Sequence, residues 1–186
     1  MSVPDVSRMY VTIGVLAVEI FKLPAMERVT RVSIEYSGSG DSGDIDQVTF
    51  FRTIGTEQGV VQDDDIVKIE ASCSDELRSR IISFVQTNAL NYFGGCAIDT
   101  AKVITTFFAS ALWEKLERDY GGWENNDGAS GELAMVFDET AGTVKIVGEH
   151  RSYFVDYETY ETELVLTDTD GQAEGVGEAV GSIPRQ

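Results

Sequence analysis

The stretch Gly121-Gly122-Trp123-Glu124-Asn125-Asn126-Asp127-Gly128-Ala129-Ser130-Gly131-Glu132 stands between two incompatible hydrophobic periods. Before it, Ile104, Phe107, Phe108, Ala111, Leu112 and Leu116 recur at helical spacing. After it, Leu133, Met135 and Phe137 alternate with Ala134, Val136 and Asp138 as a strand does. Gly121 and Gly122 suit the left-handed conformation that ends a helix, and Asp127-Gly128 suits a tight turn. The chain must therefore turn a helix layer into a sheet layer here. An indole at Trp123, among glycines and polar residues, either plugs the edge of the core or waits for a partner.

The same two periods organise the rest. Met9, Ile13, Leu16, Ile20 and Leu23 predict a helix from about Ser7 to Leu23 that ends at Pro24. Its other face carries Val11, Val15 and Val18, as in a helix buried on both sides; an oligomer contact, hence a homodimer, is the lesser expectation. Val32, Ile34 and Tyr36 alternate with Arg31, Ser33 and Glu35. The pattern resumes at Val48 and Phe50 after Ser37-Gly38-Ser39-Gly40-Asp41-Ser42-Gly43-Asp44, which reads as a glycine-rich hairpin. Asp63-Asp64-Asp65 precedes a short strand expected near Ile66 to Ala71.

Ser74 with Asp75 and Glu76 starts a helix whose stripe is Leu77, Ile81, Phe84, Val85 and Ala89, ending at Gly94-Gly95. Asp99 or Thr100 is expected to cap the next helix, on which Glu114 and Arg118 form an exposed pair. Val144 and Ile146 continue the alternation beyond Glu139-Thr140-Ala141-Gly142 as a second hairpin. Tyr153, Val155 and Tyr157 alternate with Asp156 and Glu158 in a last strand running to Leu166. These elements predict one α+β domain over residues 1–166: an antiparallel sheet of about five or six strands with about three helices on one face. Residues 167–186 lack periodicity and are expected to form a flexible acidic tail.

Charge decides the functional classes. With 32 acidic residues against 14 Lys and Arg, the net charge is -18, which argues against direct nucleic-acid binding and favours basic partners. At 42% hydrophobic residues the chain can still fold, so its acid sits on a shaped surface. Two cysteines and one histidine make neither a disulfide framework nor a zinc site, and a reducing cytoplasm fits best. The apolar run Met9 to Leu23 is too short for a bilayer span and is interrupted by Glu19, so no membrane association is expected.

The two glycine motifs, Gly38-Ser39-Gly40-Asp41-Ser42-Gly43 and Gly121-Gly122-Trp123-Glu124-Asn125-Asn126-Asp127-Gly128 with Gly131-Glu132, resemble those of a family of small acidic proteins of bacteria and mobile elements. That family has no assigned activity, so the resemblance implies an arrangement and not a reaction. The leading expectation is a non-enzymatic inhibitor, phage- or plasmid-encoded and of the anti-CRISPR or anti-restriction type. It would block a nucleic-acid-binding defence effector by imitating a duplex, which carries a charge about every 1.7 Å. The partner-binding residues expected are Asp63, Asp64, Asp65, Trp123, Asp156, Glu158, Glu161 and Glu163.

No catalytic residues and no cofactor are expected. The alternative is a Ca²⁺ or Mg²⁺ site, or an enzyme, built where the loops converge, with Asp41, Asp44, Glu124, Asp127 and Glu132 as oxygen ligands. Cys96 at a helix start, with His150 and Asp99, is the one nucleophilic set the sequence offers. A buried structural cysteine and an ordinary edge histidine explain the same residues.

Overall fold

The computed structural model describes residues 6–40, 42–88, 99–123, 128–152 and 158–164. Its strands are β1 Val29–Ser39, β2 Ser42–Ile54, β3 Glu57–Val60, β4 Ala129–Asp138, β5 Thr143–Ser152 and β6 Glu158–Leu164. They form one six-stranded sheet in the order β3-β2-β1-β4-β5-β6. Every neighbouring pair is antiparallel. Two three-stranded meanders thus lie side by side, joined where β1 meets β4. The α+β class holds, with four α-helices among the described residues: α1 Val6–Phe21, α2 Asp63–Ala71, α3 Asp75–Asn88 and α4 Val103–Tyr120.

The alternation in β1 and β4 works as the side-chain period of two requires. Val32, Ile34, Tyr36, Leu133 and Met135 are buried with Phe50, Val144 and Ile146. The aromatic contacts Phe21–Phe137 at 5.2 Å and Phe50–Phe108 at 5.8 Å fasten α1 and α4 to that face. Helix α4 is the hub. It buries residues on every side, from Val103 through Leu116, because the sheet lies beneath it and α3 packs along it. Helix α1 is the core helix that its two apolar faces imply, with Ile13, Ala17 and Ile20 fully buried. A salt bridge of 2.7 Å from Arg80 to Glu19 ties it to α3.

The structure corrects four expectations. Ile66 to Ala71 is helical, not a strand: three carboxylates fill the first turn of α2, where the free amides and the dipole favour them. A six-residue stretch, here Ile-Val-Lys-Ile-Glu-Ala, is too short to reveal this by period alone. Helix α4 starts at Val103, later than expected, and Asp99 holds only the preceding turn through Ala101 N at 2.9 Å.

The cap of α4 comes from elsewhere. Buried Glu70 of α2 accepts hydrogen bonds from Ile104 N at 2.9 Å, Thr105 N at 2.8 Å and Thr105 Oγ1 at 2.8 Å. Lastly, Glu114 and Arg118 are not an exposed pair. Their side chains retain 16% and 28% exposure at 4.0 Å, Arg118 donates to Met9 Sδ of α1, and burial pushes the Glu114 carboxyl up.

Ser74 caps α3 as expected, its Oγ accepting from Leu77 N at 3.2 Å. Ala89 and Gly94-Gly95, Tyr153 to Tyr157 and the tail 167–186 lie outside the described residues.

Candidate functional site: carboxylates on the sheet and at its edges

The two glycine motifs meet through Trp123. Its indole lies on the β1–β2 hairpin, where a Cβ on Gly38 would come within 2.7 Å of Trp123 Cζ3 and one on Gly43 within 2.8 Å of Cζ2. Gly128, at φ +80, passes so close to Gly38 that a Cβ there would stand 2.6 Å from the Gly38 carbonyl carbon. The glycines of both motifs therefore give up side chains so that a ring and a backbone can approach. Trp123 Nε1 donates to Glu117 Oε1 at 3.0 Å, and the ring meets Tyr36 and Trp113 edge to face at 5.1 and 5.5 Å. At 6% exposure it is a plug in the core and not a docking residue, which corrects the partner-binding assignment.

His150 belongs to the same cluster. It is buried, hydrogen-bonded through Nδ1 to the Tyr36 hydroxyl at 2.8 Å and stacked on Tyr120 at 3.9 Å. Burial, with Tyr120 beside it, pushes the Tyr36 phenol up. The nucleophilic set does not assemble. Asp99 sits before the first turn of α4 and His150 against its last residue, roughly 25 Å apart at 1.5 Å per residue. Cys96 lies outside the described residues.

Of the oxygen ligands expected for a cation, Asp41, Glu124 and Asp127 lie outside the described residues. Glu132 is held by Arg31 at 2.6 Å, and Asp44 Oδ1 accepts from Ile45 N at 2.7 Å. Asp44 lies opposite Ser37 on β2 and Glu132 opposite Glu35 on β4. Strand spacing and rise put their Cα atoms on the order of 12 Å apart. Among the described residues no group of three His, Cys, Asp or Glu side chains is placed to hold a metal ion.

The carboxylates expected to bind a partner divide between two edges of the sheet. Asp63 and Asp64 are exposed at the start of α2, just after edge strand β3. Asp65 is instead engaged, with Arg52 at 3.3 Å and Lys68 at 2.8 Å. At the other edge, Glu161 and Glu163 of β6 pair in register with Val147 and Lys145, and Glu158 with His150 on the opposite parity. Asp156 lies outside the described residues. Five strand spacings, roughly 24 Å, separate the edges.

Between them runs a row that sequence reading did not single out. Glu35, Glu132 and Glu149 stand directly opposite one another on β1, β4 and β5. Register across strands 90 residues apart in sequence is the missing signal. Like charges in such positions repel, and here Arg31 approaches Glu132 at 2.6 Å and Arg151 approaches Glu149 at 3.6 Å.

The hydrogen bond from Lys68 and its charge, with Arg52, hold the Asp65 carboxyl below the usual carboxylate range. A depressed carboxylate stabilises the fold above its unfolded pKa, and that contribution disappears as pH falls through the folded value. Asp65→Asn is accordingly less stable than wild type at neutral pH. The two converge in strong acid, as urea midpoints measured across that range should show. A gap that persists undiminished in acid would point to packing instead.

Fold and site together define an α+β domain with a helix layer on one face of an antiparallel sheet and an acid-bearing opposite face. The chain belongs to DUF6878, a family of unknown function, whose model matches residues 59–164. The second glycine motif falls within that segment, and the first, with α1, β1 and β2, precedes it. No curated protein and no solved structure matches the chain. None of the described helices is long and apolar enough to cross a membrane.

Proposed function

We propose that this protein is a non-enzymatic inhibitor that occupies the nucleic-acid-binding surface of a basic protein, of the kind a bacterial defence effector presents to phage or plasmid DNA. The observation that carries the reading is that its acid is mounted on ordered elements. Asp44 and Asp46 on β2, Glu57 on β3, Asp63 and Asp64 on α2, and Asp75 and Glu76 on α3 are all exposed. Carboxylates held on a rigid frame offer a basic groove a fixed pattern without the ordering cost of a flexible acidic segment. The net charge of -18 adds long-range attraction that salt screens.

Immobilised protein should retain basic nucleic-acid-binding proteins from a bacterial lysate at low salt, and added duplex DNA should release them. Reversing two exposed charges, Asp63→Lys with Asp64→Lys, should weaken retention about tenfold, equivalent to about 1.4 kcal/mol. Retention indifferent to salt and to duplex, or no retention at all, would remove the reading.

A further inference from the structure

One edge of the sheet has a notch. Strand β3 pairs with residues 51–54 of β2 alone, and the bond from Val61 N to Phe50 O at 2.8 Å marks where the chain leaves for α2. From residue 42 to 49, β2 continues with β1 on one side and, among the described residues, no strand on the other. This open edge is roughly 25 Å long. Phe50 turns its carbonyl toward β3, so Val48, two residues earlier in the same strand, turns its N–H and C=O the same way, into the notch.

The two sides of this edge differ in chemistry. Ile45 and Val48 lie toward the helices, partly buried against the core. Asp44 stands opposite Ser37, and Asp46, in the bulge beside Glu35 and Tyr36, accepts from the Ser37 hydroxyl at 3.0 Å, which puts both carboxylates on the other side. Both are exposed. With Ser37, Ser39 and Ser42 they line an open hollow of about 660 Å³.

We infer that the notch receives an extended segment of a cationic protein as an added strand. Successive side chains of a strand point to opposite faces, so the segment that fits alternates basic and apolar residues. Its lysines or arginines lie over Asp44 and Asp46 and its small apolar side chains over Ile45 and Val48. Acid and a bulge at an edge deter further strands, but this deterrent is selective. A second copy of the chain brings a net charge of -18 to the same carboxylates, whereas a cationic strand finds complementary charge and an open ladder. The inference rests on the inhibitor reading for the sign of the partner's charge and adds the form in which that partner docks.

A capped, dye-labelled heptapeptide of alternating lysine and valine tests it against the full chain. Anisotropy at low salt should show saturable binding below about 1 mM. A peptide of the same composition with its lysines in one block, and the alternating peptide with every amide N-methylated, should each bind about tenfold more weakly. Asp44→Asn with Asp46→Asn keeps acceptors for Ile45 N and Ser37 Oγ and should weaken binding by a similar factor. Amide ¹H–¹⁵N spectra should place the wild-type shifts at Asp44 to Thr49. No binding up to about 1 mM, equal binding of blocked and alternating peptides, or shifts confined to Asp63 and Asp64 would overturn the inference. So would a doubled mass in sedimentation with the peptide excluded, which would make the occupant a second copy. Lysate proteins retained while the peptide fails would leave the inhibitor reading standing without the added strand; peptide binding with no lysate protein retained would do the reverse.

Discussion

Replacing Glu70 with alanine lowers stability by about 3–4 kcal/mol, which for a chain of this length moves the melting temperature down by roughly 10 °C. The size follows from what the carboxylate does. It takes three hydrogen bonds at the head of α4, the helix against which the sheet, α1, α2 and α3 all pack. No side chain within α4 caps that end, so alanine leaves buried amides without an acceptor and removes a charge that the helix dipole favours. Glu70→Gln keeps one good acceptor and should recover about half of the loss. Urea unfolding with an unchanged m-value is the measurement. A loss below about 1 kcal/mol for alanine would mean that water takes over the cap.

The second large effect belongs to Trp123. Its truncation to alanine should cost about 3–5 kcal/mol, the usual penalty for emptying a buried aromatic site. Gly43→Ala in the wild type pushes a methyl into the indole and should cost about 1–3 kcal/mol. Together the changes should be far from additive: with the ring gone, the Gly43 methyl meets little, and its own cost should nearly vanish. Strict additivity in that double-mutant cycle would show that the hairpin glycines serve backbone conformation alone. A selective loss of partner binding by Trp123→Ala, with stability unchanged, would restore the indole as a docking residue.

Much of this architecture was legible from hydrophobic period. Val32, Ile34 and Tyr36 on β1 and Leu133 and Met135 on β4 announced which face of each strand is buried, and Leu77, Ile81, Phe84 and Val85 announced the stripe of α3. What period cannot carry is identity over short runs, and so Ile66 to Ala71 reads as a strand until Asp63 to Asp65 are understood as the first turn of a helix.

Nor can local pattern announce partners supplied from far along the chain. Glu70 caps residues 34 and 35 positions away, and Trp123 occupies space vacated by Gly38 and Gly43. The two glycine motifs do meet, which the sequence offered only as the alternative to plain turn formation, and among the described residues the contact is made by an aromatic ring. The Glu35–Glu132–Glu149 row emerges only when register is known. Asp63, Asp64 and Asp65 stand out in sequence as a block, yet one of the three is spent on Arg52 and Lys68.

The pairing of β1 with β4 has a consequence during synthesis. The β1–β2–β3 meander leaves the ribosome well before β4, and the strand that covers the free side of β1 begins 90 residues after β1 ends. At translation speeds of roughly 5–20 residues per second, the edge of β1 waits about 5–20 s with its ladder groups open to any other extended chain. The charged and small residues along that edge, Arg31, Ser33, Glu35 and Gly38, are the chain's protection over that interval.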